Sequence, residues 1–249
     1  MGEIIVVKLG GSSLYDLTAN FYEKLKAMQE NGQKLVIVHG GGPEINRYLN
    51  QLNIKSEFHN GLRKTTKEAI EIVEMVLTGK VNPFVVRLLN DAGIRAVGLN
   101  GSDDHLLEAS FLDEASLGYV GQIEDVNSRF LLSILDLGIV PVVASVGRTA
   151  SGEVLNINAD TVASEIARKI HAETLMLVTD VDGIKHNGQT IKETTPLEIQ
   201  QLIQQGIIYG GMIPKVEAAL KCLESKIREV MIVGKQLDGT KIVHEEVLV

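Results

Sequence analysis

Residues 4–13 read IIVVKLGGSS, and the reading of this stretch decides the fold. Four consecutive apolar residues specify a strand buried on both faces, the form that strands take in a parallel sheet. Lys8 stands near the end of that strand, followed after Leu9 by two glycines and two serines. Lysine is rarely buried without a partner, so at the tip of a core strand it calls for an anion. Glycines beside it let backbone N–H groups come close to that anion, as phosphate-cradling loops do. Taken alone, the stretch is equally compatible with an ordinary strand-to-turn transition that leaves the lysine solvated.

Outward from this stretch, Leu14, Leu17, Phe21, Leu25 and Met28 recur at helical spacing until Asn31-Gly32 stops the pattern. Residues 35–38 form a second buried-type strand that runs into His39-Gly40-Gly41-Gly42-Pro43. Pro43 suits the first turn of a helix, continued through Ile45, Leu49 and Leu52. The second strand therefore also ends in a glycine-rich turn feeding a helix N-terminus, where free N–H groups favour an anion. Two such turns on neighbouring strands open on the same edge of a sheet. Ligands of open α/β sheets bind there, outside the carboxyl ends of the strands.

The remaining chain repeats the alternation. Residues 58–63 read as a turn leading to Arg63 in a short extended piece, and helical patterns cover 66–77 and 81–90. A strand at 94–99 ends at Asn100-Gly101, and the less regular segment 106–126, with alternation over 119–126, predicts a hairpin lying over the sheet edge. Asn127 can cap a helix to Leu137, and 139–144 is a strand again. The segment EVLNINAD at 153–160 precedes a helix at 161–170, and a strand at 175–178 leads into Thr179-Asp180-Val181-Asp182-Gly183. A helix at 196–205, a glycine-containing stretch at 206–211 and an amphipathic helix at 212–225 follow, with 230–233 the last clear strand. This order specifies an α/β fold: a three-layer αβα sandwich around a mostly parallel open sheet. No linker or repeat divides the chain, and a subtle lobe boundary falls near His171, giving lobes 1–171 and 172–249.

The totals narrow the partners. With 249 residues, 45% of them apolar, the chain can bury a sizeable core. Its 24 basic and 32 acidic residues give a formal charge of −8 without a basic stripe, which argues against nucleic acid or an anionic membrane surface. A small anionic ligand needs only a few placed cations. The single cysteine, Cys222, excludes an internal disulfide and reads as a semi-buried free thiol. The chain opens directly on its first strand, with no signal segment or membrane-spanning run, and is expected to be cytoplasmic.

No P-loop, dinucleotide fingerprint, zinc-protease motif or nucleophile elbow is present, and the six histidines lack metal-ligand spacing. What remains is glycine turns with isolated cations, Lys8, Arg63 and Lys215, an inventory that fits phosphoryl transfer by positioning and charge neutralisation. VVKLGGS at 6–12, VHGGGP at 38–43, NGLR at 60–63, NINAD at 156–160 and GGMIPK at 210–215 together resemble the amino acid kinase family, and within it the acetylglutamate kinases. Any one of these motifs is weak; all of them in the family's order and spacing, over residues 4–233, form a specific signal.

The resemblance implies the amino acid kinase fold and transfer of the ATP γ-phosphate to the side-chain carboxylate of N-acetyl-L-glutamate, on the route to arginine. It implies catalytic roles for Lys8 and Lys215, which stabilise the transferring phosphoryl group, for Gly11 and for Asp160, which holds both lysines. Gly10, Gly11 and Gly41 add backbone N–H donors. The substrate would contact Gly41, Gly42, Arg63, Asn156 and Asn158, with Arg63 clamping its α-carboxylate. Nucleotide binding falls to Gly10, Asp180, Val181, Gly183, Ile184, Ile208, Tyr209 and Gly210. Mg2+ would arrive with ATP, with no metal ligand of the protein's own. A γ-carboxylate of pKa about 4.3 is already ionised, so no general base is required. The N-terminal lobe would bind acetylglutamate and dimerise, and the C-terminal lobe would bind ATP.

Other readings stand beside these. Asp160 could cap the helix that follows it, Arg63 could be a surface arginine, and Asn156 and 181–183 could be plain turn residues. Asp103-Asp104 stands where the family has Asp-Gly, so that turn is expected to differ, and Ser145-Val146 precedes Gly147 where the family often has proline. Arginine-inhibited hexameric members carry an extra N-terminal helix before the first strand. Its lack here implies a homodimer insensitive to arginine. A related kinase acting on an acidic carrier protein is the nearest rival, although its substrate would demand a basic docking surface. A non-catalytic sensor on the same fold would be expected to have lost Lys8, Asp160 or Lys215.

Overall fold

In the computed structural model, which describes residues 2–10, 14–59, 61–225 and 227–245, the strand Ile4–Leu9 lies inside an eight-stranded sheet. It pairs in parallel with Lys34–His39 on one side and Thr174–Val178 on the other. Glu229–Val233 extends the parallel sheet beyond Thr174–Val178, while Val140–Ala144 and then Ala96–Leu99 extend it beyond Lys34–His39. All six strands therefore deliver their carboxyl ends to one edge.

Side chains alternate across a strand, so a run of apolar residues has to be covered twice. Ile4 and Val6 pack with Val36, Val38, Leu175 and Leu177 into one core, completed by the helices Ser128–Asp136, Ala159–Lys169, Pro196–Gln204 and Ile213–Glu224. Ile5, Val7 and Leu9 join Leu35, Ile37, Met176 and Val178 in a second core, covered by Ala19–Glu30, Gly42–Gln51, Lys67–Glu74 and Asn82–Asp91. These are the three layers expected from the sequence. The same parity turns Lys8 toward the first core, the side of the Ala159–Lys169 helix.

Several elements differ from expectation. The helices expected at 66–77 and 81–90 form one continuous rod: Lys67–Glu74 passes through a seven-residue π-helical segment, Met75–Val81, into Asn82–Asp91. Pro83 lacks the N–H an α-helix would use there, and its ring crowds the carbonyl four residues back; a wider turn relieves both. The hairpin expected within 106–126 forms, Leu107–Phe111 pairing antiparallel with Gly121–Val126, but it belongs to a separate four-stranded sheet that also contains Val146–Arg148 and Val154–Asn156. At Asp103-Asp104 the turn takes left-handed backbone, with φ 48° at Asp104, a conformation that glycine adopts more readily.

Glu229–Val233 is not the last strand. Gly239–Val243 pairs antiparallel with it, and the short strand Glu193–Thr194 lies outside that. The approach is close enough that a Cβ on Gly239 would lie 1.9 Å from the Ile232 carbonyl oxygen. Backbone must move before any side chain fits. Gly239→Ala should therefore lower stability by roughly 2–4 kcal/mol, the range of severe overpacking. Urea unfolding should show a reduced midpoint with an unchanged slope; an unchanged midpoint would show that the closing strand yields without cost.

Candidate active site

At the carboxyl edge of the sheet, the Lys8 ammonium lies 3.0 Å from Asp160 Oδ1, the two side chains being 15% and 32% exposed. Asp160 occupies the first turn of the helix Ala159–Lys169, where the positive end of the helix dipole favours a carboxylate. It is not the helix cap. Asn158 takes that role, its Oδ1 accepting from the N–H groups of Asp160 at 2.7 Å and Thr161 at 3.3 Å. The Asp160 carboxylate is thereby left for Lys8.

The neighbouring strand ends at His39, in register with Leu9. The turn that follows enters the helix Gly42–Gln51, which carries Pro43 in its first turn. A Cβ on Gly41 would lie 2.6 Å from Leu77 Cδ2 and 3.2 Å from Val81 Cγ2, so the π-helical segment packs directly on this turn. His39 is fully buried. Desolvation pushes its pKa down to about 4, against the raising effect of its hydrogen bond to Gly40.

Beside the turn lies a cavity of about 150 Å³ lined by Gly41, Gly42, Arg63, Asn156 and Asn158, with Leu62 and Val120 among its apolar walls. Arg63 is 7% exposed and stacks 4.7 Å from the centre of the Phe58 ring. Its Nη1 donates to Ser56 Oγ, and Nη2 lies 3.5 Å from the Gly42 carbonyl oxygen. Burial lowers its pKa, yet a guanidinium stays charged. Among the described residues no carboxylate pairs with it. Arg63 is thus a buried cation facing a small cavity, which excludes the surface-arginine reading. Asn156 donates from Nδ2 to Thr65 Oγ1 at 3.1 Å, and the buried Thr65 donates in turn to the Arg63 carbonyl at 2.9 Å. This relay fixes the amide of Asn156 and was not foreseen from the sequence.

A second cavity, of about 520 Å³, opens after the strand Thr174–Val178. Asp180, Val181, Gly183, Ile184, Ile208, Tyr209 and Lys215 line it, and Gly210 adjoins Tyr209. Gly183 has φ 97°, and a Cβ there would lie 2.7 Å from the Thr240 backbone nitrogen. Lys215 sits in the first turn of the helix Ile213–Glu224, where the dipole opposes a cation. Its ammonium is 3.1 Å from Asp180 Oδ1 and 3.2 Å from the Gly211 carbonyl oxygen. The expectation that Asp160 holds both lysines is therefore corrected: Lys8 pairs with Asp160, while Lys215 pairs with Asp180. The hydrogen bond from Lys215 holds the Asp180 carboxyl below its usual range. Gly10 directly follows the first strand; Gly11, expected to contribute a catalytic N–H, lies outside the described residues.

Cys222 is buried, and desolvation followed by the nearby Asp160 charge pushes its thiol up to about 11, which makes it a poor nucleophile. Among the described residues no cluster of His, Cys, Asp and Glu is arranged to hold a metal ion, and no helix is long and apolar enough to cross a membrane.

The sequence model of the amino acid kinase family matches residues 3–234. The chain belongs to the amino acid kinase family. A Geobacillus relative, 48% identical over 98% of both chains, and a Bacillus subtilis relative, 47% identical over 98% of this chain and 97% of its own, are each named acetylglutamate kinase. A crystal structure of a Streptococcus mutans protein superposes with a TM-score of 0.86 at 35% identity, covering 98% of this chain and 99% of that one. The carbamate kinase of Giardia, at 16% identity and a TM-score of 0.69 over 98% and 99% of the two chains, shares the fold. Amino acid kinase architecture thus extends to the whole described chain.

Because the folded pKa of His39 lies near 4 and the unfolded value near 6.5, the unfolded chain binds the proton first. The stability associated with neutral His39 is complete above pH ~6.5 and declines as pH falls toward 4. Urea midpoints measured at pH 7 and pH 4.5 should fall less in His39→Asn than in wild type. An equal fall would show that another group dominates acid destabilisation.

Proposed function

We propose that this amino acid kinase transfers the γ-phosphate of ATP to the side-chain carboxylate of N-acetyl-L-glutamate, giving an acyl phosphate for arginine biosynthesis. The observation that carries the reading is Arg63, a buried cation with no anion paired to it among the described residues, facing a cavity sized for an amino-acid derivative beside the Lys8–Asp160 pair. A guanidinium there suits the α-carboxylate of a small acid. Asn156 and Asn158, with the amides of Gly41 and Gly42, supply polar contacts for the rest of that acid. The names of the near full-length relatives support the same substrate.

The chemistry needs no base, since the acceptor carboxylate is ionised at neutral pH. Its obstacle is repulsion between that carboxylate and the phosphate chain. Lys8 approaches from the acceptor side and Lys215 from the nucleotide side, so that positive charge is set where negative charge spreads during transfer. The larger cavity takes ATP, with the open space beside Gly210 allowing close approach of the ligand to backbone, while Gly183 lets its loop pack on Thr240. Mg2+ fits as a companion of the nucleotide, held largely by phosphates and water, because Asp160 and Asp180 are each engaged by a lysine. Acceptor binding then belongs to the part of the chain before His171 and nucleotide binding to the part after it. Self-association as a homodimer completes the proposal, and sedimentation equilibrium would test it; a monomeric mass would remove it.

Steady-state ADP release measured with N-acetyl-L-glutamate, glutamate, aspartate and carbamate tests the assignment. N-acetyl-L-glutamate should stimulate turnover most, and its failure to do so would refute the reading. Lys8→Ala should reduce kcat by about 10²–10³-fold, the cost of one lost transition-state contact, with little loss of folding stability. Unchanged turnover would mean that Lys8 is a bystander.

A further inference from the structure

Asn82, the first residue of the helix Asn82–Asp91, is 5% exposed and places its Nδ2 against three successive strands of the sheet. That nitrogen is 2.8 Å from the Val142 carbonyl oxygen, 3.3 Å from the Leu99 carbonyl oxygen and 3.0 Å from His39 Nε2. The edge strand makes room for it: a Cβ on Gly98 would lie 2.0 Å from Asn82 Oδ1. An amide nitrogen can only donate, so His39 Nε2 is the acceptor and the ring proton sits on Nδ1. Nδ1–H then donates to the Gly40 carbonyl at 3.0 Å.

That last bond has a directional consequence. The Gly40 carbonyl and the Gly41 N–H belong to one planar trans peptide, in which C=O and N–H point in opposite directions. With the carbonyl held toward buried His39, the Gly41 N–H points away from it. Among the described residues no acceptor takes that N–H, and Gly41 lines the acceptor cavity. Between two glycines such a peptide unit could otherwise rotate at little steric cost. Replacing both members of a buried polar pair by apolar groups of the same shape can be nearly neutral, so stability alone does not require this pair.

We propose that His39 and Asn82 are positioning residues for phosphoryl transfer. Asn82 selects the tautomer of His39, and His39 pins the Gly40–Gly41 peptide so that the Gly41 N–H is aimed at the reacting groups. Neither side chain touches substrate. The proposal rests on the kinase reading given above for its activity readout, and on the peptide orientation for a readout independent of substrate.

The test compares wild type with His39→Leu, His39→Asn and Gly98→Ala, each first shown to be folded by circular dichroism and thermal melting. His39→Leu removes the donor and should lower kcat with N-acetyl-L-glutamate about 10–100-fold, up to the cost of one lost oxyanion donor. Its Kd for ATP should stay within about threefold of wild type, since nucleotide binds elsewhere. His39→Asn keeps a donor near the Nδ1 position and should recover kcat to within about fivefold of wild type, a rescue that general loosening of the core would not produce. Gly98→Ala, which forces Asn82 aside, should lower kcat in the same sense. Should His39→Leu fail to fold, the comparison of Gly98→Ala with wild type decides the matter. A kcat within twofold of wild type in a folded His39→Leu or Gly98→Ala overturns the proposal. Crystal structures of wild type and variant supply the second readout: the Gly40 carbonyl should face His39 in wild type and be turned or split in His39→Leu. If wild type itself does not act on N-acetyl-L-glutamate, the functional reading fails, and the peptide orientation alone decides this inference; an unmoved carbonyl overturns it.

Discussion

A lysine at the end of a strand whose neighbours are all buried loses hydration, and the protein has to return that loss as an ion pair or a ligand. The rest of the active edge depends on this constraint. Asp160 supplies the permanent partner at 3.0 Å from a helix N-terminus that itself stabilises the carboxylate. The strand, paired on both sides, sets the direction in which Lys8 leaves the sheet, and the Asp160 ion pair holds its largely buried ammonium. The cation is thus set in place before any ligand binds, the form of electrostatic stabilisation that requires least reorganisation during reaction.

The same economy recurs around it. Six parallel strands bring their ends to one edge, and three of them furnish the parts described above: the first carries Lys8 and is followed by Gly10, the second runs into the Gly40–Gly42 turn, and Thr174–Val178 leads to Asp180, which meets Lys215. Arg63 is held by an aromatic ring, a serine and a backbone carbonyl, and among the described residues no carboxylate neutralises its charge. Lys215 is the looser of the two lysines. It stands where a helix dipole disfavours it, and Asp180 offsets that cost.

Much of this was legible in the amino-acid sequence because it follows from periodicity. The apolar run before Lys8 required a two-sided sheet, whereas the helix layer that the lysine meets is set by the path of the chain after the sheet. Glycine turns after two such strands had to share an edge, as Leu9 and His39 do. What escaped depended on long-range partners. The closing strand begins at a glycine chosen for its contact with Ile232, which no local pattern records. The π-helical segment follows from Pro83 meeting an otherwise uninterrupted helix, and two separate helices fit the same letters. Asn158 and Asp160 are both good caps, and only the chain's path assigns the role to Asn158. A histidine closing the buried run KLVIVH and a lone glycine in the edge strand were faint signals of the Asn82 network, visible as a polar side chain at a core position and a missing side chain at the sheet's edge.

In the proposed reaction Lys8 acts on the charge that develops during transfer rather than on substrate binding. Isothermal titration of wild type and Lys8→Ala with MgADP and aluminium fluoride in the presence of N-acetyl-L-glutamate tests it most directly, with MgATP binding as the reference. The planar phosphoryl mimic should bind wild type at least about 100-fold more tightly than the variant, the scale of one transition-state contact, while MgATP affinity changes by less than about fivefold. Equal loss of affinity for both ligands would contradict it, because Lys8 would then be a ground-state binding residue.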